Sequence, residues 1–296
     1  VNVEFIERAV RSSGYGLRSV GDIRQYLFDL GHFHDPVVGF VSHIRPWESI
    51  LDVDETSKDF KAAVKSYQRM RPLVEDGFFG PVTQERAIQE AGFRCGLPDV
   101  MEKRANLSEW PEPCQRDVTT AHRIGSLRFS DGQGRTIQDA WEYGITRWNL
   151  VSGVVLSSIE SMSKARVSAT ANAEQSGILA WSELPNNSCA THLSQSYNSR
   201  VTWAWQLLWT TIAHEVGHAI GLPHGGRGIM QPAHDPSVRE LDSWDIDEVV
   251  KRYGLFQPQD PTDPTEPNPV EYGILEWFDA NGKLLSKFDV LPRGTV

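Results

Sequence analysis

The sequence predicts an α+β protein in which a small helical unit precedes a larger unit of strands and helices. Three observations lead there. Apolar residues recur at helical spacing through residues 1–92. Alternating, strand-like stretches enter after Ile124. A Pro- and acid-rich stretch at 257–270 then sets apart a short last segment. The 296 residues suffice for two ordinary domains, and 40% hydrophobic with 10% aromatic residues suits a soluble globular chain. A formal charge of −10 excludes nucleic acid as the main partner, because phosphate binding needs a basic face. No apolar run approaches the roughly 20 residues that span a bilayer. The chain opens at Val1 rather than Met and shows no signal-peptide pattern. A processed or trimmed chain is therefore expected, and location is not read from its start.

In the helical unit, Ile23, Tyr26, Leu27 and Leu30 fall at i, i+3, i+4, i+7, as do Phe60, Ala63, Val64 and Tyr67. Each set lines one face of a helix. Thr83 is the expected N-cap of a third helix carrying Ala87, Ile88 and Ala91. DLGHF (29–33) and EDGFFG (75–80) mark turns after the first two helices, and residues 35–56 read as a loop between them. A polar stretch, EKRANLSEWPEP (102–113), follows. SLRFS (126–130) alternates like a strand, DGQG (131–134) reads as a turn, and Ile137, Ala140, Trp141 and Trp148 suit an amphipathic helix. ARVSATA (165–171) and ILAWSEL (178–184) are further strand candidates. A tryptophan-rich helix is expected from about 203 to 220 and another near 243–253. After the linker, ILEWFDANGKLLSKF predicts a β-hairpin around Asn281–Gly282, marginal by itself.

Residues 214–224, HEVGHAIGLPH, carry chemistry. Leu208, Ile212, Val216 and Ala219 make one buried stripe, so the first part is helical. His214 and His218 then project from one face a turn apart, within reach of a single ion. Gly221 can take the left-handed conformation that ends a helix, and Pro223 cannot continue one. The chain can therefore return His224 as a third ligand. Three neutral imidazoles leave Zn²⁺ its full charge and an open position for water, whose pKa such an ion lowers towards about 7. Glu215 can accept that water's proton and pass it to a leaving amine. The plain alternative is a set of histidines packed in a helix. FRCGLPDV (93–100) adds a thiol, Cys95, in a polar turn: a reactive group, a metal ligand or an accident. Three cysteines are too few for a disulfide framework, but one bridge and one free thiol would fit.

HExxHxxGxxH resembles the metzincin clan of zinc endopeptidases. Gly228-Ile229-Met230 resembles the clan's methionine turn, and Met230-Gln231-Pro232 the M-x-P of the matrixins, the matrix-metalloproteinase-like family. LDSWDIDEVVKRYG (241–254) is similar to that family's last helix, and ILAWSELP (178–185) to the edge strand that pairs with substrate backbone. Leu73, Asp76, Gly77, Gly80 and Thr83 resemble the L-x-x-DG-x-x-G-x-x-T of a three-helix peptidoglycan-binding-like module. Arg94 to Asp99 resembles the cysteine switch of matrixin propeptides, with Phe93 in place of the first proline. The resemblance implies that Cys95 occupies the fourth zinc position as a thiolate, that Arg94 and Asp99 stiffen its turn, and that Cys114 and Cys189 are left to pair. Two departures stand out. Gly225 follows the third histidine, where matrixins usually carry serine or threonine. Trp181 stands in the edge strand where the family places a ligand of a second, structural zinc. Between His122 and His214 the only histidine is His192, read as a surface residue, so one zinc is expected; calcium is a further metal the resemblance allows.

The expectation is thus a metzincin-type catalytic domain behind a three-helix prodomain. The divisions are a prodomain with its switch at 1–100, an activation linker at 101–112, a protease domain at 113–256, a linker at 257–270 and a hairpin at 271–296. Glu215 is the expected general base; His214, His218, His224 and, in the zymogen, Cys95 are the expected metal ligands. Protein or peptide substrates, secretion and a monomeric state go with it. The rival expectation is a peptidoglycan-binding protein with secondary or no proteolysis, which a pull-down on purified peptidoglycan separates.

Overall fold

Six helices and ten strands arise where the sequence supplies caps and apolar faces, in a computed structural model that describes residues 17, 19–34, 55–90, 93–100, 109–174 and 177–255. It also describes the backbone of two strands near the C-terminus. Most of the expected loop at 35–56, Ala91, residues 101–108 of the expected linkers, the 257–270 stretch and the Asn281–Gly282 turn lie outside the described residues. The chain divides into two units, 1–256 and 257–296.

Helix α1 (Val20–Asp29) opens on a reciprocal cap: Ser19 Oγ accepts the Asp22 N–H, and the Asp22 carboxylate accepts the Ser19 N–H. Helix α2 (Lys58–Arg69) is capped by Ser57. Helix α3 (Pro81–Glu90) begins earlier than expected. Thr83 is not its cap but a residue of its first turn, because Pro81 is pre-set for the first helical position and lacks only an N–H that no helix needs there. Thr83 is instead buried, where its hydroxyl accepts from Gln68 Nε2 at 3.1 Å. Ile88, expected on the buried face, is 42% exposed; Ala87 carries that face. The three helices close on Tyr26, Leu27, Leu30, Phe60, Val64 and Tyr67.

Arg94–Cys95 forms a short strand, β1. The sheet proper uses β2 (Val118–Arg123), β4 (Leu156–Ser158), β5 (Val167–Asn172), β6 (Ile178–Ser182) and β7 (Leu193–Asn198). Its order is β1-β6-β7-β5-β2-β4, all neighbours parallel except antiparallel β6 and β7. Strand β6 would be the edge, but β1 lies against it. Of SLRFS only Arg128–Ser130 is extended, as β3, and it pairs with β8 (Thr202–Ala204) away from the main sheet. Helix α4 (Ile137–Asn149), with a Thr136–Asp139 capping box, crosses α5 (Trp205–Ala219), where Gly144 lets Ile212 approach closely. Trp141, Trp148, Trp203, Tyr197 and Leu208 are fully buried between sheet and helices. Helix α6 (Ser243–Tyr253) closes this part and ends on Gly254. Cys114 and Cys189 form a disulfide. No helix among the described residues is long and apolar enough to cross a membrane. The second unit contains an antiparallel pair, β9 (Gly273–Phe278) and β10 (Leu284–Val290).

Candidate metal centre

Helix α5 carries His214 and His218 on the face turned away from its Leu208–Ile212 stripe. It stops where Gly221 takes φ 88°, a conformation that costs glycine little. His224 comes back from the turn. The three Nε2 atoms stand 3.0 to 3.2 Å apart, and all three rings are buried. Each ring's other nitrogen faces a backbone carbonyl: His214 Nδ1 and Ile229 O at 2.6 Å, His218 Nδ1 and Leu222 O at 2.8 Å, His224 Nδ1 and Pro98 O at 2.7 Å. A carbonyl only accepts, so each Nδ1 must be the protonated nitrogen. Burial lowers His214 to about 4 and holds His218 and His224 well below the usual histidine range, so the rings are neutral. Three Nε2 lone pairs then converge on one point, an arrangement that calls for a cation.

Cys95 supplies the fourth donor. Its Sγ lies 3.6 Å from His218 Nε2, and the four donor atoms all fall within 4.8 Å of one another. At zinc bond lengths of about 2.05 Å to nitrogen and about 2.3 Å to sulfur, tetrahedral donors stand about 3.3 Å apart for two nitrogens and about 3.6 Å for nitrogen and sulfur. The residues present fit zinc. Burial first, then the nearby Glu215, pushes the Cys95 thiol well above its ordinary pKa, so a thiolate here needs a cation to hold it. Among the described residues no other group of His, Cys, Asp and Glu converges in this way. His192 is exposed and bonded to Ser168 Oγ at 2.9 Å, and the Trp181 indole donates to Glu174 at 3.1 Å.

Glu215 is fully buried beside these donors, its Oε2 3.8 Å from Cys95 Sγ and its Oε1 without a hydrogen-bond partner. Burial raises its carboxyl to about 8, a shift that a cation on the histidines would oppose. Beneath the rings, Met230 packs so close to Gly217 that a Cβ there would sit 2.3 Å from its sulfur. The turn is pinned from α6: the Asp245 carboxylate accepts the Ile229 N–H at 2.7 Å and the Met230 N–H at 3.1 Å. The same Ile229 offers its carbonyl to His214 Nδ1, so α6 aims the His214 ring through one residue.

The segment around Cys95 lies in a groove with a wall on each side. The Arg94 N–H donates to Gly177 O and the Gly96 N–H to Ala180 O on the β6 side; across from them the Cys95 N–H donates to Pro232 O and the His234 N–H to Phe93 O. Behind it is a buried ionic cluster invisible to local sequence pattern. Asp99 meets Arg94, Arg71 at 2.7 Å and His32 Nε2 at 2.8 Å; Glu90 meets Arg71 at 2.8 Å and Arg94 at 3.2 Å. The Arg94–Asp99 pair was expected, whereas His32, Arg71 and Glu90 come from three separate places in the helical unit and no spacing rule connects them.

No family model matches the chain. Over 192 residues, 59% of this chain, it is 27% identical to matrix metalloproteinase-27 of Homo sapiens. Over 177 residues, 54% of this chain, it is 25% identical to matrix metalloproteinase-26 of Homo sapiens. These matches span 36% and 66% of the two relatives' own lengths. The chain is thus distantly and partially similar to matrix metalloproteinases, with a mixed α/β fold and a buried Cys/His₃ group suited to a metal.

Proposed function

We propose that the chain is a secreted zinc endopeptidase of the matrixin kind, held latent by its own N-terminal unit. The observation that carries this reading is the convergence of three Nε2 lone pairs and the Cys95 sulfur at zinc-like separations. His214, His218 and His224 would hold the ion, with Cys95 as the fourth ligand in the latent form. When bound, zinc supplies Lewis acidity and lowers the pKa of water at its open position towards about 7. Glu215, whose Oε2 lies on the side of the Cys95 sulfur, takes a proton from the attacking water as the water oxygen bonds to the scissile carbon. It returns that proton to the amide nitrogen as the carbon–nitrogen bond breaks, so that the amine leaves neutral. Burial of Glu215 keeps bulk water from competing for that proton.

Strand β6 offers backbone donors and acceptors that an extended peptide could use once β1 leaves, which supports a polypeptide substrate. Residues 1–100 then act as prodomain, 101–112 as the activation linker and 113–256 as the protease domain. The Cys114–Cys189 disulfide supports an oxidising, extracellular setting. The test is direct. The purified full chain should contain zinc and cleave a broad peptide mixture only after its thiol is modified by an organomercurial. A zinc-free chain, or one that stays inert after the Cys95 thiol has reacted, would overturn the reading.

A further inference from the structure

The cavity beside Glu215 has a charged wall that the reaction above leaves unused. Its lining includes Leu179, Thr210, Ile229, Val238 and Asp235. Asp235 is held firmly: its Oδ1 accepts the N–H of Ser237 at 2.9 Å and the Ser237 hydroxyl at 2.6 Å. Its Oδ2 meets the Arg86 guanidinium at 3.2 Å, with the two side chains only 16% and 18% exposed. Burial works against its charge, but the Ser237 bonds and Arg86 prevail and keep the carboxyl below its ordinary pKa. Arg86 belongs to α3 and is tied by its Nε to Glu90 at 2.6 Å. It is therefore part of the unit that must leave if the groove is to open.

Asp235 also follows directly on the stretch that grips the Cys95 segment, since Pro232 and His234 make its backbone hydrogen bonds. A peptide that replaces residues 93–95 would run along the same stretch and reach the same carboxylate. Loss of Arg86 then leaves a fixed negative charge, preorganised by Ser237, facing an extended peptide. We infer that Asp235 is a specificity-determining residue, selecting substrates with Lys or Arg on the side of the scissile bond that lies along Pro232–Asp235. In the latent chain Arg86 holds that side chain's place. The inference rests on the peptidase reading above.

The test uses the full chain activated by an organomercurial and a peptide library randomised at three positions on each side of the bond cut. Wild type should enrich Lys and Arg at one position on one side. Matched Lys and Gln peptides should then differ in kcat/KM by roughly five- to tenfold, the scale of a partly exposed ion pair. In Asp235→Asn, which keeps the acceptor for Ser237, that ratio should fall to about 1. In Asp235→Lys it should invert in favour of Glu. Cleavage without a basic preference, or with a preference unchanged in Asp235→Asn, overturns the role of Asp235 and leaves the peptidase reading standing. No cleavage of any peptide overturns both.

Discussion

Glu215 and Gly225 show how much a single residue can determine here. Glu215 is fully buried, with Oε2 3.8 Å from Cys95 Sγ and Oε1 without a hydrogen-bond partner, a placement that suits proton transfer at the donor cluster. Glu215→Gln should retain one zinc per chain by metal analysis, because the ligands are untouched. Peptidase activity after activation should fall by roughly 10²- to 10⁴-fold, the range for a lost general base. His214→Ala should lose the zinc itself. The glycine after the third histidine has a packing cause: a Cβ on Gly225 would lie 2.1 Å from the Trp244 indole. Gly225→Ser should therefore cost about 1–3 kcal/mol of stability by overpacking. Pairing it with Trp244→Leu, which removes the obstructing ring, should recover most of that in a denaturant melt. Recovery of nothing would mean the serine fails for another reason.

Among the described elements, the turn at 94–99 is held by a buried group of charges. Asp99 is buried with Arg71, Arg94 and His32, and burial, which opposes its ionisation, is overcome by the two arginines, so its carboxyl sits well below the usual range. Asp99→Asn keeps the shape but leaves two buried guanidinium groups with one carboxylate, Glu90. Breaking a buried pair in this way costs about 3–5 kcal/mol. The uncut variant should melt at lower temperature and show peptidase activity without cleavage, because the turn no longer presents Cys95 rigidly. Full latency in Asp99→Asn would show that the ladder to β6 suffices. The helices were legible because an i, i+4 stripe is local, and so were His214, His218 and the turn at Gly221. Strands β2 (VTTAHR) and β7 (LSQSYN) were not, since buried Thr120, Gln195 and Ser196 interrupt the apolar pattern of Val118, Ala121, Leu193 and Tyr197. Gln195 earns its burial by donating to Glu215 O at 2.9 Å and Ser182 Oγ at 3.1 Å. Arg86–Asp235, 149 residues apart, depends on the fold alone.

At the scale of the whole molecule, the ionic cluster and the groove contacts do different jobs. His32, Arg71, Glu90, Arg94 and Asp99 all precede residue 101, so the cluster chiefly stiffens the N-terminal unit; among the described residues its side chains reach beyond only through Arg86, which joins Glu90 to Asp235. Among the described residues, attachment rests on the Cys95 sulfur beside Glu215 and His218, the backbone bonds to Gly177, Ala180, Pro232 and His234, the Pro98 carbonyl on His224, and Arg86 on Asp235. None of these is broken by cutting the chain between 101 and 112. A trypsin-like protease acting at Lys103–Arg104 should therefore give a nicked protein whose two pieces still co-elute on gel filtration, with peptidase activity still suppressed. On the zinc reading proposed above, Cys95→Ala removes the one metal ligand on the N-terminal side and leaves the ladder. Nicked Cys95→Ala should release its N-terminal piece and be active, while nicked wild type should do so only after the thiol is modified. The Cys114–Cys189 bridge closes a loop of 75 residues within the remaining part, worth about 4 kcal/mol by chain entropy, so the released C-terminal piece should stay folded. If nicked wild type separates and is active at once, the cysteine is not the lock, and latency lies in the uncut connection alone.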